Sequence, residues 1–244
     1  MGIVQASCLG HLGRFGNQLF QYAAARGYAR KIGATLETPS WVGQTLFKDI
    51  NDPPLSRQVE ILPIEAIPDD GRDNVGFIGY FHSKAAYDLY TLADLRSWFQ
   101  LSDWVKAEMF EYGPVPLAAH LRRGDYVTTY AASFCTVGES AYYRAMSDNG
   151  FGDLPVTWVR EDMPREFKRP GLEWLIDFWV LLNAEVLFRA NSTFSWWAGT
   201  LGNHKRVYSP LIDGLRGLHN DVKFIEGNWP RTADHPGVHD YHIK

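Results

Sequence analysis

"VPLAAHLRRGDY", residues 115–126, carries the reading on which the fold depends. Residues 115–121 read as a strand, and His120 to Tyr126 follow at its C-terminal end, the edge at which a parallel sheet presents ligands. Strand and helix signals alternate downstream with short breaks. "SAYYRAM" lies in a helix, "VTWV" at 156–159 is a strand, and "LEWLIDFWVLLN" is an apolar-faced helix. "EVLFRA" is then a strand, "FSWWAGTLG" a helix and "RVYS" a last strand. Such alternation predicts βαβ units and a mostly parallel sheet.

Upstream, residues Ile3 to Leu9 read as a short strand, followed by a glycine-rich turn at Gly10 to Gly16 and a helix from Asn17 to Ile32 stopped by Gly33. Small residues on that helix predict close approach to a sheet. Residues 39–75 are rich in turn formers and predict little regular structure. The organisation expected is a half at 1–112, a second α/β half at 113–229 and an irregular tail at 230–244.

Composition narrows the function. The 244 residues are 45% apolar and 14% aromatic, with 9 Trp, which predicts a compact globular chain. Against 24 Lys and Arg stand 28 Asp and Glu, a net charge of −4, so no overall basic field draws nucleic acid. Any anion site must be local. Two cysteines, Cys8 and Cys135, cannot form a disulfide framework and fit a reducing compartment. No run of about 18 apolar residues and no signal-peptide pattern is present, which predicts a soluble, cytoplasmic protein.

Four stretches could carry chemistry. The turn "GRFGNQLFQ", 13–21, matches neither the dinucleotide fingerprint nor the phosphate loop. It reads either as a tight connection with Asn17 capping the helix or as an anion site. In the second case backbone N–H groups are joined by donors from Arg14 and Asn17. In "HLRRGDY", Arg122 and Arg123 are suited to bidentate phosphate contact, and Asp125 can hold one guanidinium in place. In "NSTFSWW", Asn191 to Trp197, Ser192, Thr193 and Ser195 can cap a helix and donate to an anion, while the tryptophans read as core. In "VREDM", Glu161 and Asp162 follow the strand 156–159, either as solvated loop charge or as acceptors for a ribose hydroxyl or guanine. His235, His239 and His242 have metal-like spacing but read as a flexible tail.

In order, "GRFGNQLFQYAAA", "GYFHS" at 79–83, "HLRRGDY", "ESAYYRAM" and "NSTFSWWAGTL" resemble the succession in the family 11 α-1,2-fucosyltransferases, within the wider α-1,2/α-1,6 and protein O-fucosyltransferase superfamily. The resemblance implies a GT-B-like α/β fold of two Rossmann-type halves, the C-terminal one binding GDP. It implies inverting, metal-independent transfer of fucose from GDP-fucose to a glycan hydroxyl, with α-1,2 linkage to a galactoside. Arg122 would bind the β-phosphate, with His120 and Arg123 beside it and Asp125 ordering the motif. Asp162 would meet the guanosine, and Asn191, Ser192, Thr193, Phe194 and Ser195 would line the diphosphate. Arg14, Gly16 and Asn17 would contact sugar or phosphate.

Arg160 and Glu161 stand where the family has Ser and Asp. The base stays open between Glu139, Asp125 and no protein base. The partners implied are a GDP-sugar donor, a glycan acceptor and, through a lipid-linked acceptor, a membrane surface. Two other readings stay open: transfer from another GDP-hexose, and a non-catalytic GDP-sugar or glycan-binding protein.

Overall fold

The computed structural model describes residues 2–163, 165–212 and 214–228. The chain divides into two compact units, the first running to Ala107 and the second beginning at Glu108. The expected tail at 230–244, with its three histidines, lies outside the described residues.

The first unit contains β1 (Ile3–Gln5), α1 (Phe15–Ile32), β2 (Thr35–Glu37), α2 (Gly43–Leu46), β3 (Glu60–Ile61), β4 (Val75–Gly76), α3 (Lys84–Tyr87) and α4 (Leu92–Trp98), with α5 (Asp103–Met109) crossing into the second unit. Its strands form a parallel sheet in the order β2-β1-β4-β3, with Val4 paired to both Leu36 and Val75. β1 is shorter than the expected 3–9, because Leu9 N–H turns back to the Ala6 carbonyl. α1 begins at Phe15, two residues ahead of Asn17. Its N-cap is Arg14, in an extended conformation and without a side-chain cap bond, which excludes Asn17 as the cap. Gly33, at φ 69°, stops the helix as its sequence position predicts. The small face of α1 buries Ala23 and Ala24 completely, and Gly27 lies against Leu89, whose carbonyl oxygen a Cβ would approach to 2.8 Å.

The second unit contains β5 (Val115–Leu121), β6 (Cys135–Val137), α6 (Glu139–Asp148), β7 (Thr157–Arg160), α7 (Trp174–Leu182), β8 (Ala184–Phe188), α8 (Thr193–Leu201), β9 (Arg206–Leu211), β10 (Gly217–His219) and β11 (Lys223–Glu226). The main sheet has the order β11-β9-β8-β5-β7, parallel except where β11 pairs antiparallel with β9. β6 and β10 form a separate parallel pair. Side chains alternate along β5 with the period of two that a strand imposes. Leu117, Ala119 and Leu121 enter a core with Tyr142, Phe188 and Tyr208, in which the last two rings stack at 4.5 Å. His120, between them in sequence, turns to the opposite face, where its ring meets Phe194 at 5.8 Å. Trp196 and Trp197 are buried, in keeping with the core reading. Among the described residues no helix is long and apolar enough to cross a membrane.

Candidate functional site at the carboxyl edge of the second sheet

β8, β5 and β7 lie side by side and parallel, so their C-terminal ends open on one edge of the sheet. That topology brings together residues far apart in sequence: Arg122 after β5, Glu161 after β7, and Asn191 and Ser192 between β8 and α8. Arg122 is the centre of the group. One guanidinium nitrogen, Nη1, pairs with Glu161 and the other, Nη2, with Asp125. The Arg122 Cζ sits 4.7 Å from the Tyr126 ring centroid, a cation–π contact. The side chain is only 11% exposed.

The turn after β5 is built to hold this arrangement. Residues Gly124–Tyr126 form a single 3-10 turn, with Gly124 at φ 51°. A Cβ on Gly124 would come within 2.1 Å of Glu161 Oε2, so glycine both permits the backbone conformation and leaves room for the carboxylate. Tyr126 stacks on Phe134 at 4.7 Å, and its hydroxyl donates to the Asn191 carbonyl at 3.3 Å. Asn191 is buried, and its amide donates to the Cys135 carbonyl at 3.0 Å. Asn191-Ser192-Thr193 also spells an N-glycosylation sequence, but with Asn191 buried it is an internal connector.

His120 is 3% exposed, and its Nδ1 has no hydrogen-bond partner among the described residues. Burial, assisted by the Arg122 and Arg189 guanidinium groups, pushes its pKa down to about 3. That shift favours the neutral ring, which has one nitrogen to donate and one to accept. Its own carbonyl receives the Tyr142 hydroxyl at 2.7 Å.

The other carboxylates named from the sequence gather on a different arginine. Arg160, the last residue of β7, donates to Asp162 at 2.8 and 2.9 Å and to Glu139, the first residue of α6, at 3.1 Å. Hydrogen bonding from Arg160 holds the Asp162 carboxyl below its ordinary range. Arg123 is half-buried beside them. At the start of α8, Ser192 caps the helix by accepting from Phe194 N–H at 3.3 Å. Thr193 opens the helix, and Phe194 packs on Phe178 at 5.3 Å. Ser195 is fully buried and its hydroxyl donates to the carbonyls of Ala190 and Ser192 at 3.3 and 3.4 Å.

Arg14, Gly16 and Asn17 belong to the first unit. Gly13 adopts φ 71°, and its carbonyl and that of Leu12 receive the side-chain amides of Gln18 and Gln21 at 3.3 and 2.8 Å, tying the turn onto the first coils of α1.

One residue escaped the sequence reading. Arg189, inside the "EVLFRA" run, is 2% exposed and donates from Nε to the Ser209 hydroxyl at 2.7 Å and from Nη1 to the Ala190 carbonyl at 3.2 Å. An arginine within an apolar strand was the available signal, since a guanidinium is rarely buried without purpose. Among the described residues no group of three or more His, Cys, Asp or Glu is disposed to hold a metal ion.

The sequence matches no protein-family model. It is 26% identical over 162 residues to an alpha-1,2-colitosyltransferase of Escherichia coli, covering 54% of this chain and 53% of that protein. The chain thus spans about half the length of the curated relative it matches. In structure it resembles NodZ alpha-1,6-fucosyltransferase co-crystallised with GDP, with a TM-score of 0.54 at 17% identity over 93% of this chain and 99% of that one. Fucosyltransferase NodZ from Bradyrhizobium gives 0.53 at 17% identity over 92% and 98%. The chain has a fucosyltransferase-like fold. The proteins it is similar to, in sequence and in structure, are glycosyltransferases.

Proposed function

We propose that this chain transfers fucose from GDP-fucose to a glycan hydroxyl, inverting the anomeric centre in a GT-B-like frame whose C-terminal half holds the GDP. The observation that carries the reading is Arg122: a largely buried guanidinium, held from two sides, at the ligand-bearing edge of a parallel sheet in a chain of fucosyltransferase-like fold. As the bond from the sugar C1 to the β-phosphate oxygen breaks, negative charge grows on the departing diphosphate, and Arg122 stabilises it without a metal. The orphan Nδ1 of buried His120 supports a second polar contact at the same place. Arg123, Asn191, Ser192 and Thr193 complete the diphosphate side, Asp162 serves the guanosine, and Arg14, Gly16 and Asn17 are assigned to sugar or phosphate. The acceptor hydroxyl attacks C1 and its proton passes to Glu139 or Asp125. The linkage assigned is α-1,2, in agreement with the name of the colitosyltransferase. That relative also favours a second reading, in which colitose replaces fucose as the sugar transferred.

Calorimetric titration of GDP and UDP in EDTA tests the donor site. Tight, guanine-selective binding by the wild type, lost in Arg122→Ala and partly kept in Arg122→Lys, is the expected result. Removing one such pre-placed donor should raise the barrier to transfer by roughly 3 kcal/mol. Equal binding of UDP, or near-normal turnover in folded Arg122→Ala, would overturn the assignment. GDP-fucose against GDP-colitose, with a common galactoside, separates the two sugars.

A further inference from the structure

The guanidinium that the donor reading needs is already occupied. Arg122 carries a carboxylate on each terminal nitrogen, Asp125 on Nη2 and Glu161 on Nη1. Two carboxylates set against this guanidinium weaken its pull on a diphosphate. A phosphate oxygen that approaches the Nη1 side competes there with Glu161. The two carboxylates are not equally free to move. Asp125 lies three residues from Arg122 within the turn Gly124–Tyr126, and its carbonyl also receives Tyr130 N–H at 2.8 Å. Moving it disturbs the turn that seats Tyr126 under the guanidinium. Glu161 is about as exposed, 29% against 25% for Asp125, but it reaches over from the end of β7 on a longer side chain and is no part of that turn.

We propose that Glu161 is a positioning residue that occupies Arg122 when the donor is absent and is displaced by the β-phosphate of the nucleotide. The inference rests on the donor-site reading above and deepens it. The pair keeps Arg122 oriented and desolvated, at the cost of competing with the donor. Asp125 remains in place throughout. The cavity for Glu161 is provided by the absent side chain at Gly124. In Glu161→Gln the amide keeps the shape but not the charge, so the nucleotide no longer displaces an anion.

The test is calorimetric titration of GDP and GMP into the wild type and Glu161→Gln, with Glu161→Ser as a second variant and the melting temperature of each taken without ligand. The expected result is GDP binding about tenfold tighter in both variants, equivalent to about 1.4 kcal/mol, with GMP affinity unchanged because GMP lacks the β-phosphate. A purely structural role would lower GDP affinity together with the melting temperature. GDP affinity equal to or below that of the wild type, in variants that melt cooperatively, would overturn the role of Glu161 while leaving the donor site standing. A gain shared equally by GMP would overturn it too. Failure of the wild type and of both folded variants to bind GDP would overturn the donor reading, and the role of Glu161 with it.

Discussion

His120 shows how one residue can serve two demands. Its position on β5 is legible from the sequence, because it is the sixth residue of a run read as a strand. Its chemistry is not, since burial against Phe194 and the charges of Arg122 and Arg189 are products of the fold. With the folded pKa pushed down to about 3 and an ordinary histidine titrating near 6.5, the unfolded chain binds a proton that the folded chain refuses. This residue therefore favours unfolding progressively as the pH falls from about 6.5 toward about 3. In His120→Gln, the loss of melting temperature across that window should be visibly shallower than in the wild type; an unchanged slope would contradict the burial argument. Glu161 is the converse case. Its sequence context allowed solvated loop charge or a ribose or guanine acceptor, and the structure pairs it with Arg122. No local pattern predicts a pair 39 residues apart.

Elements with strong periodicity or an uninterrupted apolar run came through best. The strand expected at 115–121 is β5, Val115–Leu121, and the helix expected around 172–183 is α7, Trp174–Leu182. The strands β3, β4, β6 and β10 are two or three residues long, too short to show a period, and "RVYS" is followed by two further strands. Caps were partly legible: Ser192 caps α8 as its sequence position allows, whereas Asn17 does not cap α1 and the box at α4 escaped the sequence reading. α4 begins with a reciprocal capping box, Thr91 with Asp94, to which Arg30 of α1 adds a hydrogen bond of 2.8 Å. The Arg30 bond, then the Thr91 contacts, hold the Asp94 carboxyl well below the usual carboxylate range. Its contribution is complete above the unfolded value near 4 and is lost as the pH falls below it. Asp94→Ala should cost about 1 kcal/mol in urea unfolding at pH 7, and less at pH 3. Ser192→Ala removes the cap of α8 and should cost about 1 kcal/mol by the same measurement.

At the scale of the whole molecule, the two cysteines are both unbridged, and burial pushes the Cys135 thiol up to about 11. The melting temperature should be the same with and without dithiothreitol, and Cys135 should resist alkylation at pH 7.5 until the protein unfolds. A reductant-sensitive melting curve would contradict this. If the second unit holds the donor, GDP at a hundred times its dissociation constant should stabilise the folded chain by about 2.7 kcal/mol. Differential scanning calorimetry of the wild type and Arg122→Ala, with the gain confined to the former, is the check. By itself the sequence determined the α/β class, the parallel sheet of the second unit and the placing of "HLRRGDY" and "NSTFSWW" at strand ends. These follow from local periodicity and from the handed, short connections between neighbouring strands, which act over a few residues at a time. Only the tertiary structure decided which charges distant in the chain meet. The order β8-β5-β7 sets Arg122 against Glu161, because adjacent strand ends share an edge whatever their distance in the chain, and the start of α6 brings Glu139 to Arg160 at the end of β7.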